Sequence, residues 1–182
     1  MPAVGKTHAE TWTGPAFFSR AKESMKTTNV VIAGIGGQGV LTSSDILAEA
    51  AFITGLDVKK SELHGMSQRG GSVTSDVRFG RQVLSPMVPW GQADCLVVLD
   101  STQVDINRPV LRKGGILITP DQIDKKDLLH HRSLNIALLG VLSRHLPSIA
   151  EPSWIQAMRT HLTATIQDVN IQMFMLARES KS

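Results

Sequence analysis

The sequence predicts an α/β fold of three layers, α/β/α, built on a mostly parallel mixed sheet. Three observations lead there. The apolar run Val30-Val31-Ile32-Ala33 passes through glycines into a helix-period pattern, residues 72–79 alternate in polarity, and the C-terminal third reads as helix. A short continuous apolar run suits a strand buried on both faces, as in a parallel sheet. Strict alternation suits a half-buried strand, which introduces antiparallel pairing.

The elements follow in order. Residues 1–28 are polar and mixed, broken by Pro2, Gly5, Gly14 and Pro15, and read as a flexible N-terminal arm. Trp12, Phe17 and Phe18 are unusual in a solvated tail, so docking on a partner stands beside plain disorder for this arm. An ordered domain spans residues 29–182, beginning with the Val30 strand. Val40 to Thr54 reads as a helix, with Val40, Leu47, Ala50, Ala51 and Thr54 on one face and Gly55 placed to end it. Asp57 to Glu62 is the second strand of a Rossmann-like start. Val73, Ser75, Val77 and Phe79 share one side of the next strand, Gly80-Arg81 reads as a turn, and Gln82 to Ser85 reads as a returning hairpin partner. Cys95 to Leu99 and Gly115 to Thr119 are further strands, separated by a short helix or turn within Ser101 to Leu111. Helices are expected over Leu134 to His145, over Glu151 to His161 with Pro152 in its first turn, and over Val169 to Glu179.

Composition narrows the function. With 182 residues, 42% hydrophobic and 19% charged, the chain suits one globular domain plus a tail. The formal charge is +3, the basic residues are scattered, and Tyr is absent, which argues against nucleic-acid binding. The single cysteine, Cys95, sits in an apolar run and reads as a small core residue. An iron–sulfur cluster takes about four thiolates, so this chain cannot hold one. No apolar signal region and no membrane span are read, which makes the cytoplasm the expected compartment.

Two loops carry the motifs. Gly34, Gly36 and Gly39 match G-x-G-x-x-G between a strand and a helix. Such a turn lets a backbone approach a ligand and points helix N–H groups at an anion. The acid expected on the second strand would be Glu62, 28 residues after Gly34, where a dinucleotide fold places it about 20 residues on. Close strand–helix packing explains the glycines equally well. The second loop, His64-Gly65-Met66-Ser67-Gln68-Arg69-Gly70-Gly71, holds many donors and little bulk. Arg69 could clamp a carboxylate or phosphate, and His64 belongs to the residue type that titrates near neutrality. Satisfying backbone carbonyls, or pairing across a subunit interface, explains both as well. His130 and His131 diverge as neighbours, while His145 and His161 close helices. Met173 and Met175 follow Val169 and Ile171 at helical spacing and read as core.

The two loops together are more specific than either alone. Gly34-Ile35-Gly36-Gly37-Gln38-Gly39-Val40, then Ser61 to Val73, then Val77-Arg78-Phe79-Gly80 and Ser85-Pro86, resemble the gamma subunit or domain of the 2-oxoacid:ferredoxin oxidoreductases. Within that family, the wording from His64 to Gly71 is most similar to the indolepyruvate ferredoxin oxidoreductase beta subunit. Asn135 and Gly140 fit more loosely, and ordinary helix packing explains them too. The segment from Pro120 to Leu134 is short for the family, which often has another strand there.

The resemblance implies a subunit inactive alone, in a complex that decarboxylates an aryl 2-oxoacid to its acyl-CoA and passes electrons to ferredoxin or another acceptor. Thiamine diphosphate, magnesium and 4Fe-4S clusters are then expected on a large partner chain, with none on this one, and coenzyme A enters as a further ligand. No catalytic residue and no metal ligand is assigned here. The residues expected to meet ligand or partner are Gly34, Gly36, Gly37, Gln38, Gly39, His64, Met66, Ser67, Gln68, Arg69, Gly70 and Gly71. A stand-alone NAD- or nucleotide-binding protein, and a purely structural assembly subunit, remain as alternatives.

Overall fold

The computed structural model describes residues 26–65, 70–124, 126, 128, 129 and 133–180. Five strands form one open sheet: β1 (Thr28–Ile35), β2 (Asp57–His64), β3 (Ser72–Gly80), β4 (Ala93–Val98) and β5 (Leu111–Ile118). Their order is β2-β3-β1-β4-β5. Central β1 pairs antiparallel with β3 and parallel with β4. β2 pairs antiparallel with β3, and β5 extends the parallel side beyond β4. Only β3 therefore runs against the other strands.

The pleat sorts the core in two. Val30 and Ile32 of β1 face one cluster, while Val31 and Ala33 face the other. The first cluster is large because helices cover that face. α1 (Val40–Ile53) lies on β1, β2 and β3. The second face is covered thinly, by the segment holding α2 (Val104–Asn107) and by a loop carrying buried Val88. The remaining helices are α3 (Leu134–Ser143), α4 (Glu151–His161) and α5 (Ala164–Glu179). α4 packs on α1 and α5 packs on α3, so the helical side is two deep. Trp154 and Phe174, both fully buried, meet there with ring centroids 5.6 Å apart. Met173 is buried in this core and Met175 packs against it, as expected from their spacing.

Local chemistry sets the helix limits. α1 stops at Gly55, whose φ of 81° is open to glycine and whose N–H donates to the Phe52 carbonyl at 2.8 Å. α5 starts earlier than its apolar stripe predicts. Its first turn is exposed and carries no core residue, while Gln167 Nε2 donates to the last carbonyls of the preceding segment, those of Arg159 and Leu162.

The expected hairpin between β3 and Gln82 to Ser85 does not form. Both edges of β3 are taken, by β1 and by β2, so no ladder position is left. The loop from Arg81 to Gln92 instead crosses the second face. Val83 N–H donates to Asp57 Oδ2 and Val88 N–H to Asp76 Oδ2, at 2.7 and 2.8 Å. Arg78 donates to the carbonyls of Ser85 and Met87. Burial pushes the Asp76 carboxyl up, against the bond from Val88.

Among the described residues no strand lies between β5 and α3; Pro120–Gln122 forms a 3-10 turn. Of the expected arm, only Lys26, Thr27 and Thr28 fall within the described residues, and Thr28 already belongs to β1. Trp12, Phe17, Phe18, His8, His130 and His131 lie outside them.

Gly140 marks the tightest helix contact. A Cβ there would stand 2.4 Å from the Phe174 carbonyl oxygen and 3.0 Å from Ala177 Cβ. Gly140→Ala is therefore expected to push α3 off α5 and to destabilise the fold by about 1–3 kcal/mol. Urea unfolding at unchanged m value is the measurement; an unaltered midpoint would show that the helices separate without cost.

Candidate functional site

β1 ends at Ile35, and the chain turns through Gly36 to Gly39 into α1. The glycines of this turn serve different needs. At Gly34 a Cβ would lie 2.9 Å from Val40 Cγ2 and 3.1 Å from Leu99 Cβ, so the strand and helix close only over a bare Cα. At Gly39, φ is 87° and a Cβ would fall 2.5 Å from Asn135 Nδ2. Gly37 has φ 93° but open space around it. Gly36 also has room, its nearest neighbour being the Gly71 carbonyl oxygen at 3.7 Å from a notional Cβ.

Gln38 is turned inward. Its side-chain carbonyl accepts the Ile35 N–H at 2.8 Å, and its amide donates to Asp100 Oδ2 at 2.7 Å. Asp100, just past β4, also accepts the hydroxyl and the main-chain N–H of Thr102, at 2.6 and 3.0 Å. Those donors, with Thr102 Oγ1 foremost and the Gln38 amide next, hold its carboxyl below the usual range.

The second loop closes the β2–β3 hairpin beside this turn. His64 stands opposite Val73, and Gly65 N–H donates to the Ser72 carbonyl at 2.8 Å. Gly36 N–H then donates to the Gly71 carbonyl at 3.0 Å, joining the two loops directly. Gly70 takes φ 68°. The expected contacts Met66, Ser67, Gln68 and Arg69 lie outside the described residues.

Between the loops lies a cleft of about 380 Å3, floored by Gly36 and Gly37, walled by Ile35, Val40 and Val73, and edged by His64. The first turn of α1 forms its far side through Leu41 and Thr42. Among the described residues, the one ionisable side chain in this lining is His64, about half exposed, with Nε2 3.5 Å from Glu62 Oε2. Glu62 pairs in turn with Lys60 at 2.6 Å, and Lys60 also bonds Asp45 of α1. Burial acts to lower the Lys60 ammonium, but the bonds to Asp45 and Glu62 outweigh it and raise it. The Lys60 bond holds the Glu62 carboxyl down.

Among the described residues, this geometry holds no acid–base pair poised over a reacting atom. Among the described residues no group of three His, Cys, Asp or Glu could hold a metal. Cys95 is buried, and burial, followed by the Asp94 charge, pushes its thiol up to about 12, so it is no nucleophile. Nor does the dinucleotide arrangement form. β3 lies between β1 and β2, which sets Glu62 roughly 10 Å from β1 at the usual ~4.8 Å per strand. Its carboxylate is already paired with Lys60.

Asp100 and the contact of Asn135 with Gly39 did not emerge from the sequence as parts of the site. Asp100 had a local signal, an Asp two residues before a Thr at the end of an apolar strand, which is a capping pattern. Asn135 fits the family pattern loosely, and its packing on Gly39 across 96 residues of chain has no local signature.

Residues 29–180 match the family described as pyruvate ferredoxin/flavodoxin oxidoreductase. An indolepyruvate oxidoreductase subunit, IorB, of Thermococcus kodakarensis is 48% identical over 97 residues, covering 52% of this chain and 47% of that one. IorB of Methanothermobacter thermautotrophicus is 28% identical over 185 residues, covering 80% of this chain and 93% of its own length. The chain spans about half the length of the first relatives it matches. In fold it is similar to the keto/oxoacid ferredoxin oxidoreductase gamma subunit of Geobacter sulfurreducens, with TM-score 0.69, 21% identity and coverage of 85% and 95%. It is also similar to 2-oxoglutarate:ferredoxin oxidoreductase of Magnetococcus marinus, with TM-score 0.71, 20% identity and coverage of 85% and 31%.

Gln38→Ala strips Asp100 of a donor and leaves the Ile35 N–H without its acceptor, for an expected loss of about 1–3 kcal/mol near neutral pH. A depressed carboxyl stabilises above its unfolded pKa, and that part fades as pH falls through the lower folded value. The gap between wild type and variant should therefore narrow in acid, as read by urea midpoints across pH. A gap that widens in acid would contradict the Gln38–Asp100 assignment.

Proposed function

This chain belongs to the pyruvate ferredoxin/flavodoxin oxidoreductase family, and on that premise we propose that it is the gamma-type subunit of an aryl 2-oxoacid oxidoreductase, with indolepyruvate as the favoured substrate. The observation that carries the proposal is the joining of the two loops. The family-like stretches from Gly34 to Val40 and from Ser61 to Val73 meet at the bond from Gly36 to Gly71 and share one cleft. The naming of several relatives as indolepyruvate oxidoreductase subunits supports the choice of oxoacid.

The complex would convert the 2-oxoacid and coenzyme A into acyl-CoA and carbon dioxide, delivering an electron pair to ferredoxin or another acceptor. The chemistry of the donor set argues where the cofactors sit. One buried, unreactive cysteine does not fit an iron–sulfur cluster, which needs about four thiolates. Thiamine diphosphate, magnesium and the 4Fe-4S clusters belong in this reading to a large partner chain, which supplies the reaction chemistry. This chain supplies a preorganised surface. Gly34, Gln38 and Gly39 hold the shape of the first loop from inside. Gly36, Gly37, Gly70, Gly71 and His64, with Met66, Ser67, Gln68 and Arg69, present that surface to the partner or to coenzyme A. The domain is residues 29–182 with residues 1–28 as an appended arm, working in the cytoplasm. No helix among the described residues is long and apolar enough to cross a membrane.

Purification of the native chain is expected to bring down a partner that carries thiamine diphosphate; a native chain always found alone refutes the reading. Within the complex, Arg69→Ala should leave assembly intact and lower turnover or weaken coenzyme A by roughly tenfold or more, the worth of a charge-assisted hydrogen bond. Loss of assembly with normal turnover in whatever complex remains would assign Arg69 to the interface instead.

A further inference from the structure

Thr42, in the first turn of α1, borders two spaces. One is the cleft between the glycine loops, and the other is a larger cavity of about 480 Å3 between α1, α3 and the junction of α4 with α5. That volume is of the size that takes a small molecule, roughly 300–1,000 Å3. The reading of the first cleft does not use the second.

Three buried polar side chains line this cavity. Asn170 of α5 is 7% exposed, and its Nδ2 donates to the Ile166 carbonyl one turn back at 2.8 Å. Asn135 of α3 is 9% exposed, and its Nδ2 donates to Ser43 Oγ at 3.3 Å. Both amide nitrogens are thus engaged with protein, while neither Oδ1 meets a donor among the described residues. Ser133, 2% exposed, also has no partner for its hydroxyl among the described residues. None of these three oxygens is fully sealed from solvent, so each is open to a donor brought by an occupant.

The rest of the lining defines the ligand. Ile136, Ile166 and Val169 give an apolar wall. Among the described residues Lys, Arg, Asp and Glu are missing from the lining, and exposed His161 is its one ionisable group. Among the described lining residues, only His161 could offer an entering ion a charge, and it could offer none to a cation. A flat, uncharged ring would lie on the apolar wall and give its N–H groups to the two amide oxygens.

We propose that this cavity is a binding site for a small uncharged ring compound bearing N–H donors, the chemical class of adenine and nicotinamide. Asn135 also packs against Gly39, so an occupant would touch a neighbour of the residue that ends the first glycine loop.

Calorimetric titration of the full chain with adenine and with nicotinamide tests the site, with inorganic phosphate as the charged comparison. At least one of the rings should bind at a single site per chain. Asn170→Leu should weaken that binding by about tenfold or more through loss of the acceptor, and Asn170→Asp, which keeps an acceptor oxygen, should retain it. If Asn170→Leu does not fold, Ile166→Trp fills the cavity from its partly exposed wall and should abolish binding in its place. The proposal is overturned if neither ring binds, if binding persists unchanged in the cavity variant, or if phosphate binds in preference to both rings.

Discussion

Ile35 at the end of β1 stands opposite Ser72 at the start of β3. From that register the rest of the site follows. An antiparallel neighbour begins where β1 ends, so the hairpin loop before β3 and the turn after β1 emerge side by side at one edge of the sheet. The bond from Gly36 to Gly71 extends the β1–β3 ladder by one step into the loops. Its net free energy is modest, about 0.5–1.5 kcal/mol, yet it fixes where both backbones run. A parallel neighbour in the same place would have put the hairpin loop elsewhere.

Side chains behind the loops reinforce that placement. Gln38 ties the first turn to β1 and, through Asp100, to the end of β4. Asn135 fills the hollow at Gly39 that any larger residue would occupy. On the other side, Lys60 binds edge strand β2 to α1 through Asp45 and carries charge along the strand to Glu62 and His64. The polar groups near the cleft are therefore mostly committed to each other. Among the described residues, what remains outward is backbone, glycine, Thr42 and His64, a surface suited to recognition.

Much of this was legible in the sequence where the signal was local. The continuous apolar run of β1, the alternation of β3, the cap at Gly55 and the first-turn proline of α4 are each written within a few residues, and each element formed. The glycine turn between β1 and α1 was legible for the same reason. Illegible were the relations between distant segments. Gln82 to Ser85 looked like a strand because its residues suit one, and only the sheet order shows that β3 had no free edge. The glycines of the first loop invited a nucleotide reading, since composition cannot tell close ligand approach from close packing. Contacts with Val40, Leu99 and Asn135 show close packing at Gly34 and Gly39, while Gly39 also lines the cleft. The early start of α5 was hidden because its first turn touches no core.

The insertion of β3 beside β1 also has a bearing on how the chain comes to be folded. β1 is made before the other four described strands, yet it lies in the middle of the sheet. Its antiparallel edge waits for residues 72–80 and its parallel edge for residues 93–98. Until then its unpaired, wholly apolar interior is covered on neither side, a state prone to wrong association. The β2–β3 hairpin can pair locally in the meantime, because only a short loop must close. Synthesis therefore presents a ready-made two-stranded ribbon to a waiting central strand, and the glycine loops meet in the same docking step.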